Sequence, residues 1–235
     1  MDTATSPTTT ATAAHPRRGA HLTAAVAGLV WLAAAFGSFT PEAPDAATAT
    51  ADLVRAYAAD SQAALGINAL SSIVSAVALL ALTAALGQIV ERASHPTASR
   101  FVGAVGAVAA VQLLLFAGLY SVWVLADASR MSDEAVLALH HITPIGAATH
   151  AFVLPVTLSM VAVVSWLALR ARFLSRPVAL LGLAIAAAEG VSMASVVISS
   201  PVTDTAMYVA IFGWLLWPVL VAADLAIKLA RRRVD

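Results

Sequence analysis

The chain has no cysteine among its 235 residues, which excludes disulfides, thiolate metal sites and thiol chemistry. Charge is scarce as well. Asp, Glu, Lys and Arg make up 11% of the sequence, against about 25% in a soluble domain. The formal net charge is zero, which argues against a nucleic-acid partner. There is no Walker loop, no G-x-S-x-G, no H-E-x-x-H and no dinucleotide fingerprint after a strand. No two apolar runs carry the facing histidines that hold a transmembrane haem. The one lysine, Lys228, sits at the edge of an apolar run, at the wrong depth for a retinal Schiff base. No cofactor is expected.

Apolar residues, by contrast, make up 60% of the chain. They concentrate in six runs at about 20–39, 64–90, 101–126, 147–169, 178–199 and 205–229. A helix crossing the hydrocarbon core needs roughly 20 such residues. The expectation is an all-α membrane protein, a six-transmembrane-helix bundle over 20–230. Residues 1–19 are rich in Thr, Ala and Pro and read as a disordered cytoplasmic tail. Residues 231–235 form a basic cytoplasmic end.

The distribution of charge gives the orientation. Alternate connections hold Arg17 and Arg18; Arg92 and Arg100; Arg170, Arg172 and Arg176; and Lys228, Arg231, Arg232 and Arg233. These are 11 of the 13 basic residues. The other connections hold only Arg55 and Arg130, together with Glu42, Asp45, Asp52, Asp60, Asp127, Asp133, Glu134 and Asp204. Positive connections stay cytoplasmic, so six spans with both termini inside satisfy every basic segment, as expected in a bacterial cytoplasmic membrane. The first run also fits a signal peptide, with Arg17 and Arg18 as its charged start and Ala33 and Ala35 near a cleavage site. Its length favours a retained span.

Two outer connections are long enough for structure. Residues 46–62 and 132–141 read either as short helices along the interface or as ordered loops. Ser132, Asp133 and Glu134 suit a helix start, and Thr143-Pro144-Ile145-Gly146 suits a turn before the fourth span. Pro155 and Pro218 fall inside spans, where proline tends to kink a helix. Trp31, Trp123, Trp166, Trp214 and Trp217 lie mostly toward span ends, as interface anchors do. Asp224 and Lys228 have i, i+4 spacing, the order that favours an ion pair.

Glu189 carries the most information. It sits near the middle of the fifth span, where an ionisable group is costly and faces protein or water. Gly182, Ala186 and Gly190 form a small-residue series for close helix packing, and at about 100° per residue Glu189 falls on the side of Gly182 and Ala186. Asn68, Ser71, Ser72 and Ser75 share one face of the second span. Ser75, Gln112 and Glu189 should lie at similar depth, with His150 nearer the outer surface. The expected site is an outward-opening polar pocket lined by Asn68, Ser72, Ser75, Gln112, His150 and Glu189.

Three readings of this chemistry stay open. In the first, Glu189 is a protonatable carboxylate in small-solute or proton-coupled transport, and the chain is not an enzyme. In the second, Glu189 is a static clamp, paired for example with Gln112, at about 0.6 kcal/mol per interhelical bond. The chain is then a structural or regulatory subunit of a membrane complex or a homo-oligomer. In the third, His140, His141 and His150 hold an outer-face metal or haem. Adjacent His140 and His141 point about 100° apart on a helix, however, and the spacing matches no ligand signature. The lipid bilayer is the one partner common to all three.

Two stretches carry a resemblance. Asp52-Leu53-Val54-Arg55-Ala56-Tyr57 leads into Leu65-Gly66-Ile67-Asn68-Ala69-Leu70, and Phe173-Leu174-Ser175-Arg176-Pro177 precedes the fifth span. In this order of features the chain resembles a family of bacterial six-helix membrane proteins, domain of unknown function 4386. It departs from the family at the second stretch, where the usual wording has Pro before an aromatic and Leu. The resemblance implies a six-helix membrane fold and no particular activity.

Overall fold

The computed structural model describes residues 15–37, 41–93, 95–196, 198 and 200–231, with the side chains of 15–18, 144–153, 195 and 196 left aside. The elements are α1 (His15–Phe36), α2 (Ala51–Asp60), α3 (Gln62–Arg92), α4 (Pro96–Leu125), α5 (Asp133–Ala171), α6 (Arg176–Ser192) and α7 (Pro201–Arg231). Short 3-10 turns lie at Ala128–Arg130 and Met193–Val196. Among the described residues there is no strand. Five segments are long and apolar enough to cross a membrane: Gly19–Phe36, Gln62–Arg92, Pro96–Leu125, Leu154–Ala171 and Pro201–Arg231. Length and composition together mark a membrane protein.

The six long helices form a closed ring. α1 packs on α3 and α7, α3 on α4, α4 on α5, α5 on α6, and α6 on α7. Short connections make neighbours antiparallel. Close approaches tighten the ring. A side chain at Gly28 of α1 would collide with Ala222 of α7, and one at Gly106 of α4 with Thr83 of α3.

Each end of the ring has its own polar ties. At one end, α2 is capped by Thr50, whose hydroxyl accepts from the Leu53 N–H. Arg55 of α2 donates to the carbonyls of Ala128 and Met131 and pairs with Asp133 at the start of α5 and with Asp52. The hydrogen bond to Asp133 and the two carboxylate charges hold its guanidinium above the usual arginine pKa. At the basic end, Asp224 accepts from the Ser175 N–H at 2.9 Å and pairs with Lys228 at 3.1 Å, as the spacing predicts. Lys228 also donates to the Phe173 carbonyl at 3.0 Å.

Several expectations change. The first helix begins at His15, so residues 15–19 belong to it and not to a tail; residues 1–14 lie outside the described residues. The turn expected at 143–146 is absent: α5 is one helix of 39 residues, about 58 Å long, and its first part stands beside α2. Pro144 removes only one intrahelical donor, and the ties of Asp133 and buried Val136 to α2 favour continuation. The tryptophans are mostly core, not anchors. Trp31, Trp123, Trp214 and Trp217 are buried, and Trp31 meets Trp214 edge to face at 5.6 Å. Between alanine-rich helices these large rings fill interior volume beside the core leucines and valines. Trp166 alone is well exposed, with Arg170 stacked on it at 4.8 Å. α7 passes through Pro218 without a break.

Candidate functional site

The buried polar residues are not scattered. Along α3, Leu65 belongs to a small apolar cluster under α2, Asn68, Ser71, Ser72 and Ser75 follow, and the large core begins at Ala78. Along α4 the order reverses: Val102, Val105 and Ala109 are core, Gln112 is next, and Trp123 joins the cluster under α2. Along α6, Ala179 and Ile185 are core, followed by Glu189 and Ser192. On α3 and α4 a polar belt thus lies between two apolar clusters, and on α6 the polar pair follows the large core. Ser75 is 13 residues from the start of α3 and Gln112 is 13 from the end of α4. Both therefore sit about 20 Å from the α2 end.

Glu189 is 5% exposed. It shares one face of α6 with Ala179, Gly182, Ile185 and Ser192, all buried, at the spacing of a single helical stripe. That face meets α5 and α7. A side chain at Gly182 would strike Ser165 Oγ of α5 and Trp217 Nε1 of α7, and one at Gly213 of α7 would strike Ile185. The carboxylate accepts one side-chain hydrogen bond, from Ser192 Oγ to Oε2 at 2.9 Å. Ser192 also donates to the Glu189 carbonyl at 2.9 Å. Among the described residues no basic group pairs with the Glu189 carboxylate and no residue of another helix hydrogen-bonds to it.

The other expected residues are distributed as follows. Asn68, Ser72, Ser75 and Gln112 are buried, and Ser72 Oγ donates to Asn68 Oδ1 at 3.4 Å. The ring order sets α6 across from α3, so Glu189 and the α3 stripe lie on helices that are not packed neighbours. The side chain of His150 lies outside the described residues. In the small-residue series Gly182 is the tight contact and Ala186 is partly buried. Gly190 is exposed, with open space where a side chain would stand, so among the described residues it packs against no other helix. Eight residues past Gly182, it has rotated off the buried face.

The histidines diverge. His140 is buried, with Nε2 3.0 Å from the Pro44 carbonyl; His141 is exposed, with Nδ1 2.6 Å from the Leu137 carbonyl. Because α5 is continuous, His150 lies ten residues on, about 15 Å along the axis from His140. Among the described residues no group of three His, Asp or Glu is placed to hold a metal ion.

Sequence reasoning passed over Ser192, although its i+3 spacing from Glu189 signalled a shared face. It also passed over Ser165 and Trp217. Their Oγ and Nε1 atoms are buried beside Gly182 and have no hydrogen-bond partner among the described residues. No family model, curated protein or solved structure matches this chain.

Proposed function

We propose that the chain is a six-span protein of a bacterial cytoplasmic membrane, with both termini inside, that moves a small solute in exchange or in company with protons. Glu189 is the proton site. The span that completes the six, fifth in chain order, is α6. Its 17 residues rise about 26 Å, and the four-residue turn that follows adds about 8 Å. Together they exceed the roughly 30 Å hydrocarbon core.

The observation that carries this reading is the local hydrogen bonding of Glu189. An acidic residue at the centre of a spanning helix costs about 3 kcal/mol on insertion scales. An interhelical clamp would offset that cost with a partner on another helix, yet the partner here is Ser192 on the same helix. A carboxyl that, among the described residues, bonds to a hydroxyl of its own helix can gain and lose a proton without breaking helix contacts. The belt on α3 and α4 supplies further buried polar groups within the same ring. The resemblance to the six-helix family adds fold alone. One observation favours the second reading, a subunit of a larger membrane assembly: Gly190 is open on the outside of the ring, where a second helix could approach closely.

Infrared difference spectroscopy of the protein in lipid tests the proton site directly. The expected result is a protonated-carboxyl band that titrates with bulk pH and disappears in Glu189→Gln. A spectrum unchanged by pH, or a titrating band that survives the substitution, contradicts it.

A further inference from the structure

A second built site lies at the α2 end, away from Glu189. Pro41, Glu42, Ala43, Tyr57, Leu65, Tyr120, Trp123, His140 and Thr143 surround a cavity of about 280 Å³. Its walls are aromatic. Two of the chain's three tyrosines and a buried tryptophan stand around it, and the exposed acidic residue Glu42 is part of its lining. We propose that this cavity binds a small organic ammonium ion.

Three observations point to that chemistry. First, the rings are held in place. Trp123 Nε1 donates to Thr143 Oγ1 at 3.2 Å, and Thr143 in turn donates to the Leu139 carbonyl. Tyr57 donates to the Pro41 carbonyl at 3.2 Å, and His140 Nε2 lies 3.0 Å from the Pro44 carbonyl. A preorganised group of aromatic rings beside a carboxylate attracts an alkylated cation through ring quadrupoles and charge. Second, no Lys or Arg lines the cavity. This end of the ring carries eight acidic residues and two basic ones. Both of those are already paired, Arg55 with Asp133 and Asp52, and Arg130 with Asp127. The local field therefore draws cations and repels anions. Third, the volume is at the lower limit for ligand pockets, which suits a small ammonium compound and not a bulky one. The site depends neither on Glu189 nor on transport.

The test titrates the purified protein with tetramethylammonium chloride and follows tryptophan fluorescence. Sodium chloride at equal ionic strength and a neutral tert-butyl alcohol serve as controls. Saturable binding of tetramethylammonium alone is expected. Glu42→Gln, at an exposed side chain, should weaken it about tenfold, and Tyr120→Leu by a similar factor. No saturable response, equal binding of the neutral alcohol, or affinity unchanged in both variants would overturn the proposal.

Discussion

Ser192 Oγ donates to Glu189 Oε2 at 2.9 Å, three residues along the same helix. Because this bond joins no two helices, its loss leaves α6 attached to α5 and α7. Ser192→Ala should lower stability by about 1 kcal/mol, and Glu189→Gln, which still accepts from the hydroxyl, should be close to neutral. Thermal unfolding in detergent measures both. A loss above about 3 kcal/mol in Glu189→Gln would mark an interhelical clamp and count against a proton site.

Gly182 and Gly190 have the same sequence character and opposite surroundings. A methyl at Gly182 enters the space of Ser165 Oγ and Trp217 Nε1, whereas one at Gly190 meets nothing. Gly182→Ala should destabilise by about 1–3 kcal/mol through overpacking. Gly190→Ala should stay within about 1 kcal/mol of the parent. Equal melting temperatures for the two variants would contradict the packing of α6 between α5 and α7.

Asp127 caps the Ala128–Arg130 turn. It accepts from the Ser129 hydroxyl and the Ser129 N–H, and these bonds, with the nearby Arg130 charge, hold its carboxyl below the usual aspartate range. A carboxylate depressed in the folded state stabilises fully above its unfolded pKa, near 3.9. That stabilisation is lost as pH falls through the lower folded value. The melting-temperature difference between the parent and Asp127→Ala should therefore be largest above about pH 5 and shrink on acidification. A difference that grows toward acid would contradict the capping role.

Much of the fold was legible because bilayer crossing imposes long apolar runs. Five of the six expected runs fall on helices that qualify as spans. The sequence misled where two local rules competed. Thr143-Pro144-Ile145-Gly146 has turn chemistry, but contacts around Asp133 and Val136 stabilise a helix that runs on through it. The tryptophans obeyed a positional rule for anchors, while neighbouring alanines created the interior volume that took them in. At the site, spacing along α6 located Glu189 on a buried face. Which helix that face meets depended on ring order, and the aromatic cavity depended on segments far apart in sequence, Tyr57 with Tyr120 and His140. No single-chain periodicity encodes such pairings.

The account rests on α6 crossing the bilayer, because only then does Glu189 lie at its centre. The natural absence of cysteine allows a direct measurement with single substitutions Ala171→Cys and Ile198→Cys, both exposed, at the two ends of the α6 segment. In intact cells, a membrane-impermeant maleimide should label the second and spare the first until the membrane is opened. Labelling of both from the same side would place α6 outside the crossing set and remove Glu189 from the membrane interior.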